Sequence, residues 1–188
     1  MAKVRAGLVT ATLQFVAGSG GDPARVRAAA GLREGDLLDP DRLLEIDRQA
    51  AVLAAAADEM RDPAFGLHLG ANFDLEGLGL LTYAVLNAST VETGLNNLVR
   101  YVGTLIEGAQ AEFSARRGVA ALRIGVAGAD PAAFRHLFEG GLLILLRMLR
   151  RLAGVAAWRP LEITLMHRAP TDTREHRRRY GLEPRFGQ

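Results

Sequence analysis

Three aspartate-proline pairs, Asp22-Pro23, Asp62-Pro63 and Asp130-Pro131, each stand directly before an alanine-rich or apolar helical pattern. An aspartate oxygen accepts from the free amides of a first helical turn, and proline at the first helical position loses no hydrogen bond there. Gly31, Gly154 and Gly181 follow periodic segments at the positions where a left-handed residue closes a helix. Starts and stops together predict helices near residues 7–17, 23–30, 41–60, 63–72, 78–87, 90–106, 131–153 and 172–180. The helix at 90–106 opens with Ser89-Thr90-Val91-Glu92, the spacing of a capping box between Ser89 and Glu92. Its Val91, Leu95, Leu98, Val102 and Leu105 recur on one face, which is therefore buried.

The period changes at Gln110. Ala111, Phe113 and Ala115 alternate with polar residues up to Arg117-Gly118, and a second alternating run follows over 119–126, so the segment reads as a hairpin of two antiparallel strands. Leu161, Ile163 and Leu165 mark a third strand, and Pro184 to Gln188 begins a fourth. The expected fold class is α+β: a helical N-terminal layer, then a small antiparallel sheet packed against the two long helices at 90–106 and 131–153. One domain is expected across residues 1–188, ending mid-element as a boundary inside a longer protein would.

The helix at 131–153 carries Phe134, Leu137, Phe138, Gly141, Leu145, Met148 and Leu152 on one stripe. Gly140-Gly141 in its middle costs about 1 kcal/mol per glycine relative to alanine, a cost that close approach of another backbone would compensate. Leu142, Ile144 and Leu146 exceed what one internal face buries, so this helix is expected to form a homodimer interface.

About half the 188 residues are apolar, enough for a core without disulfides or a structural metal. With no cysteine, a disulfide framework, a thiolate zinc site and a thiol nucleophile are excluded together, which fits a cytoplasmic protein. The N-terminal stretch is too broken by Thr10, Thr12 and Gln14 for a signal peptide, and no run approaches the ~20 apolar residues of a membrane helix. Residues 1–110 carry nine basic and fourteen acidic side chains, and 111–188 carry fourteen and seven. The basic cluster Arg174, Arg177, Arg178 and Arg179 reads as a solvated helix face ahead of a phosphate-binding patch.

No catalytic constellation is present, and no enzyme is expected. His68, His136, His167 and His176 are far apart and match no metal-ligand spacing, and His68 reads as a satisfied, partly buried histidine. Ser19, Ser89 and Ser114 lie in no nucleophile elbow, and the glycine clusters at 18–21 and 77–79 lack the rest of a phosphate loop. A ligand pocket has better support. Tyr83, Asn87, Arg100, Tyr101 and His136 put polar tips on otherwise apolar helices, which places a pocket between the helices at 78–87 and 90–106 and the sheet. Arg100 ends a stretch of buried-face helix, where it would need either Glu107, Glu139 or an anionic ligand as its partner.

Taken in order, Asp62-Pro63-Ala64-Phe65-Gly66-Leu67-His68-Leu69-Gly70, Gly77-Leu78-Gly79-Leu80-Leu81-Thr82-Tyr83-Ala84, Ser89-Thr90 through Arg100-Tyr101, and Trp158-Arg159-Pro160 with Arg185-Phe186-Gly187 resemble the N-terminal effector domain of AraC-type transcriptional regulators, in the subgroup labelled arabinose-binding-like. The resemblance covers nearly the whole chain. It implies a domain that senses an unknown small-molecule effector and dimerises, with DNA bound only by a C-terminal half containing two helix-turn-helix motifs that is missing from this chain. Alternatives are a dimerisation module without ligand and a haem or gas sensor using His136. The Tyr-x-Ser-x-Arg triad that clamps haem propionates in sensors of that type is missing, so no cofactor is expected.

Overall fold

Asp22 accepts from the amides of Ala24 and Arg25 at 2.9 and 3.2 Å, Asp62 from Ala64 at 2.9 Å, and Asp130 from Ala132 at 3.0 Å. All three aspartates therefore organise a first turn, as their pairing with proline predicts. In the computed structural model, which describes residues 2–188, the elements in order are β1 (Lys3–Arg5), α1 (Ala6–Gly18), α2 (Pro23–Ala29), β2 (Leu43–Glu45), α3 (Ile46–Glu59), α4 (Phe65–Asn72), α5 (Leu80–Leu86), α6 (Val91–Tyr101), β3 (Ile106–Glu107), β4 (Ala109–Arg116), β5 (Val119–Val126), α7 (Arg135–Ala153), β6 (Thr164–Leu165), α8 (Arg174–Tyr180) and β7 (Arg185–Phe186). Only α2 starts directly at its proline; α4 and α7 begin two and four residues later, after a turn. Gly154 and Gly181 close α7 and α8 at φ 66° and 85°, a conformation in which a Cβ would clash.

The fold is α+β, with its strands divided among three small sheets. β1 lies between β2 and β3 in an antiparallel sheet, β4 and β5 form the expected hairpin with Ala109 opposite Val126 and Arg116 opposite Val119, and β6 pairs with β7. That last pair is parallel, not part of an antiparallel sheet, because α8 carries the chain back between the two strands. Two long helical patterns also shorten. Residues 43–45 of the expected 41–60 helix are strand β2, and the 90–106 helix ends at Tyr101 before a 3-10 turn and β3. Both strands pair with β1, three residues too short to show alternation in sequence but with a completely buried Val4. The cap of α6 sits one residue later than the capping-box pattern indicates: the Thr90 hydroxyl accepts from Thr93 N–H at 3.0 Å.

The core divides around α7. Phe134, Leu145, Met148 and Leu149 face the main core with α1, α3, α4, α5 and α6, whereas Leu143 and Leu146 face a second cluster of Leu67, Ile163, Leu165 and Tyr180. A helix buried on two sides must meet its neighbours closely, and α4 meets it through glycine. A Cβ on Gly140 would stand 2.6 Å from the Gly66 carbonyl oxygen, one on Gly70 would stand 2.5 Å from the Gly140 carbonyl oxygen, and one on Gly66 would run into the backbone of His136. The close approach anticipated for Gly140-Gly141 is thus made within the chain. Gly140 faces α4, and Gly141 faces open space. This corrects the basis for a dimer interface on α7, since Leu146 is buried and Leu142 and Ile144 are partly buried by the same chain.

The two adjacent glycines should therefore respond oppositely to alanine. Gly140→Ala has no room and is expected to cost about 2–3 kcal/mol by overpacking, whereas Gly141→Ala should stabilise by about 0.5–1 kcal/mol through helix propensity. Urea unfolding midpoints of the two variants against the parent measure both.

Candidate functional site

The five residues expected to line a pocket do not share one. Tyr83 lies on α5 and Asn87 just past its end; Tyr83 is 68% exposed, and Asn87 is exposed with its side-chain amide donating to the Tyr83 carbonyl at 2.9 Å. Arg100 is also exposed, its guanidinium 5.5 Å from the ring centre of half-buried Tyr101. Arg100 therefore has neither the burial nor the Glu107 or Glu139 partner assigned to it: the end of α6 emerges into solvent, and stacking on Tyr101 suffices for a solvated guanidinium. His136 alone is buried at a cleft.

That cleft, about 580 Å³, opens where the end of α3, the turn into α4 and the start of α7 meet. Asp58, Arg61, Asp62, Arg135 and His136 supply its polar groups; Ala54, Ala57, Ala132, Ala133 and Pro63 supply its apolar wall. Several of these side chains are already positioned. Arg135 donates to the Pro63 carbonyl at 3.2 Å, and Asp62 holds His68 Nδ1 at 2.6 Å while its other oxygen caps Ala64. His68 is thus the satisfied, partly buried histidine expected from its helix. Arg61 takes a left-handed backbone (φ 50°), uncommon for a residue with a Cβ, and this turn directs the chain from α3 into Asp62-Pro63.

Beneath the cleft lies a group that sequence spacing hides. Glu139 is fully buried on α7, and three of the four histidines converge on it. His176 Nε2 lies 2.7 Å and His167 Nε2 3.3 Å from Glu139 Oε1; His136 Nδ1 lies 3.9 Å from Oε2, which has no hydrogen-bond partner. The Tyr180 hydroxyl donates to the Glu139 carbonyl at 2.9 Å, and Phe186 packs its ring edge-on to His167 and His176 at 5.4 Å each. Among the described residues no group of His, Cys, Asp or Glu is arranged to hold a metal ion.

Proton placement follows from these contacts. Arg168 offers His167 Nδ1 a carbonyl at 2.9 Å, which only accepts, so Nδ1 carries a proton. Its Nε2 then attracts Glu139 only when an additional proton sits on the ring or on the carboxyl. His176 needs no such proton, since its Nε2–H donates directly. The only sequence signal for the cluster is His136-x-x-Glu139, one helical turn apart; the other two histidines arrive from β6, α8 and their connection.

His136 is kept neutral. Burial, and then the neighbouring Arg135 guanidinium, pull its pKa from 6.5 down to about 4 against the opposing pull of Glu139. Gly66 N–H at 3.3 Å from Nδ1 and Arg135 at 3.1 Å from Nε2 are both donors; the neutral ring, which keeps one N–H, accepts from one of them, and a second ring proton would remove that remaining acceptor. The unfolded chain therefore takes up a proton near pH 6.5 that the folded chain refuses until about pH 4, and stability falls as pH drops through that window. The His136 contribution amounts to about 3 kcal/mol. Chemical denaturation from pH 7 to 4 should show that loss, and His136→Gln should flatten it. Glu139→Ala, which removes the acceptor of His176 Nε2, is expected to cost about 1–3 kcal/mol at pH 7 in the same assay.

Residues 20–188 match the family model described as the arabinose-binding domain of AraC transcription regulators, N-terminal. No curated protein matches the chain. The match spans the cleft, the buried Glu139 group and every element from α2 onward. The chain belongs to the N-terminal arabinose-binding domain family of AraC-type transcription regulators.

Proposed function

We propose that this chain senses a small polar effector in the cleft beside His136 and transmits its occupancy to a DNA-binding part of the regulator outside residues 1–188. The observation that carries this reading is the composition of the cleft. Carboxylates Asp58 and Asp62 and guanidiniums Arg61 and Arg135 face one volume with an apolar alanine wall, so the site suits a ligand bearing both charges or several hydroxyls. The family is described by its arabinose binding, and a pentose offers such hydroxyls; an amino acid offers both charges.

Signalling requires the ligand to prefer one of two arrangements. The cleft sits on the junction through which α4 contacts α7, and glycine-to-glycine contact leaves no slack there, so a shift of the α3–α4 turn carries α7 with it. Regulation also involves self-association. Leu80 and Tyr83, 56% and 68% exposed and one turn apart on α5, offer an apolar face to a second copy. The regulator acts in the cytoplasm; no helix among the described residues is long and apolar enough to cross a membrane.

A thermal-shift screen with arabinose, other sugars, amino acids and small aromatic acids tests the sensing role. One class should raise the melting temperature, and Asp58→Ala with Arg61→Ala should abolish that rise while leaving the ligand-free temperature within a few degrees, because both side chains are exposed. A shift that survives both substitutions places the effector elsewhere. Sedimentation at micromolar concentration should show a dimer that Leu80→Asp dissociates. The chain alone should give no sequence-preferring mobility shift at ~0.2 M salt.

A further inference from the structure

Near the other end of α7 from His136, a second cleft of about 430 Å³ is lined by Ala71, Leu143, Arg147, Arg150, Arg178 and Arg179. Its arginines fall into two kinds. Arg147 Nη1 donates to the carbonyls of Gly70 at 2.8 Å and Phe73 at 2.7 Å, and Arg150 donates from Nε to Trp158 at 2.9 Å and from Nη2 to Tyr180 at 3.1 Å. Both are half-buried, and both are pinned by backbone carbonyls, which orient a guanidinium without neutralising it. Among the described residues neither forms an ion pair, and Asp74 acts on Arg147 only through space. Arg178 and Arg179, on the other side of the cleft, share one carboxylate, Glu175, at 2.7 and 3.3 Å.

Four guanidiniums thus face one volume with a single carboxylate in ion-pair contact. Partial burial raises the cost of an uncompensated charge, and a bound anion removes that cost. Arg147 still has its Nε and Nη2 donors and Arg150 its Nη1 donor, on side chains whose direction is already set, so little ordering entropy opposes binding. The remaining wall, Ala71 and Leu143, is small and apolar.

We infer that this cleft binds a small dianionic molecule, a phosphate monoester or a compound with two carboxylates, with Arg147 and Arg150 as its fixed floor and Arg178 and Arg179 as its rim. The volume is that of a small-ligand site. The inward-held Arg147 and Arg150 suit such a molecule better than a nucleic-acid backbone, which is met by charges spread along an exposed surface. The site is separate from the cleft beside His136, and its occupancy does not depend on the identity of the effector bound there.

Isothermal titration of the 188-residue chain with inorganic phosphate and succinate, and with acetate as the singly charged control, tests the inference. At least one dianion should bind saturably and acetate should not; phosphate binding without succinate, or succinate without phosphate, identifies which dianion the site takes. Arg178→Ala with Arg179→Ala should weaken that binding about tenfold or more while circular dichroism and melting remain close to the parent. Arg150→Lys, which keeps the charge but loses the guanidinium fork, should also weaken it. No saturable binding of any anion up to about 10 mM would overturn the inference, as would affinity unchanged by both variants. A short DNA duplex that binds more tightly than the anions at ~0.15 M salt and displaces them would assign the arginines to nucleic acid instead.

Discussion

The contact between α4 and α7 at Gly66, Gly70 and Gly140 governs much of this structure, because each of these glycines presents backbone to backbone where no side chain fits. Packing at this distance brings α7 into the middle of the molecule. Its Leu145, Met148 and Leu149 complete the main core, and its Leu143 and Leu146 give the C-terminal segment an apolar surface to cover. Arg147 reinforces the same junction by accepting the role of a cap for α4, donating to the carbonyls of Gly70 and Phe73 that the end of that helix leaves unpaired. The two clefts open beside this junction, at its His136 and Arg147 ends.

Drawing α7 inside has an electrostatic consequence. Glu139 lies on the buried side of the helix, and its carboxylate is tolerable there only with donors around it. The C-terminal segment supplies one directly, the His176 Nε2–H, and brings His167 Nε2 to 3.3 Å from the same oxygen. His167 follows β6, His176 sits on α8, and the parallel β6–β7 pairing places Phe186 against both rings. Burial of this segment therefore combines an apolar cluster with a polar one, and the Tyr180 hydroxyl joins the two by bonding to the Glu139 carbonyl. The end of α8 is thereby tied to the first half of α7.

Charge near the surface is organised differently at the two clefts. Beside His136 both signs are present and several groups already have partners, so the site offers polarity with little net charge. Beside Arg147 the charge is almost entirely positive, and its inner members are held by neutral carbonyls. The arginine-rich helix that sequence reads as a solvated face is solvated along Arg174, Arg177 and Arg178; its half-buried Arg179, with Arg178, also lines the cleft of Arg147 and Arg150.

Local chemistry was legible in the residue order. Aspartate before proline starts a turn, glycine in the left-handed region ends a helix, and alternation over 110–126 makes a hairpin, because each depends on groups only a few residues apart. The need for close backbone approach at Gly140 was legible for the same reason, but the partner was not: nothing near residue 140 indicates that Gly66 and Gly70 complete the contact instead of a second copy of the chain. The short strands β1, β2 and β3 were illegible or misread as helix, since three-residue pairing is decided by partners some 40 and 100 residues away. The sites follow the same division. Polar tips on amphipathic helices mark His136, Tyr83 and Arg100 alike, but only His136 is buried at a cleft, whereas Tyr83 and Arg100 face solvent. The convergence of His167 and His176 on Glu139, and of Arg178 and Arg179 on Arg147 and Arg150, was decided by tertiary structure alone, because only packing across 28 to 37 residues of chain brings those groups to one place.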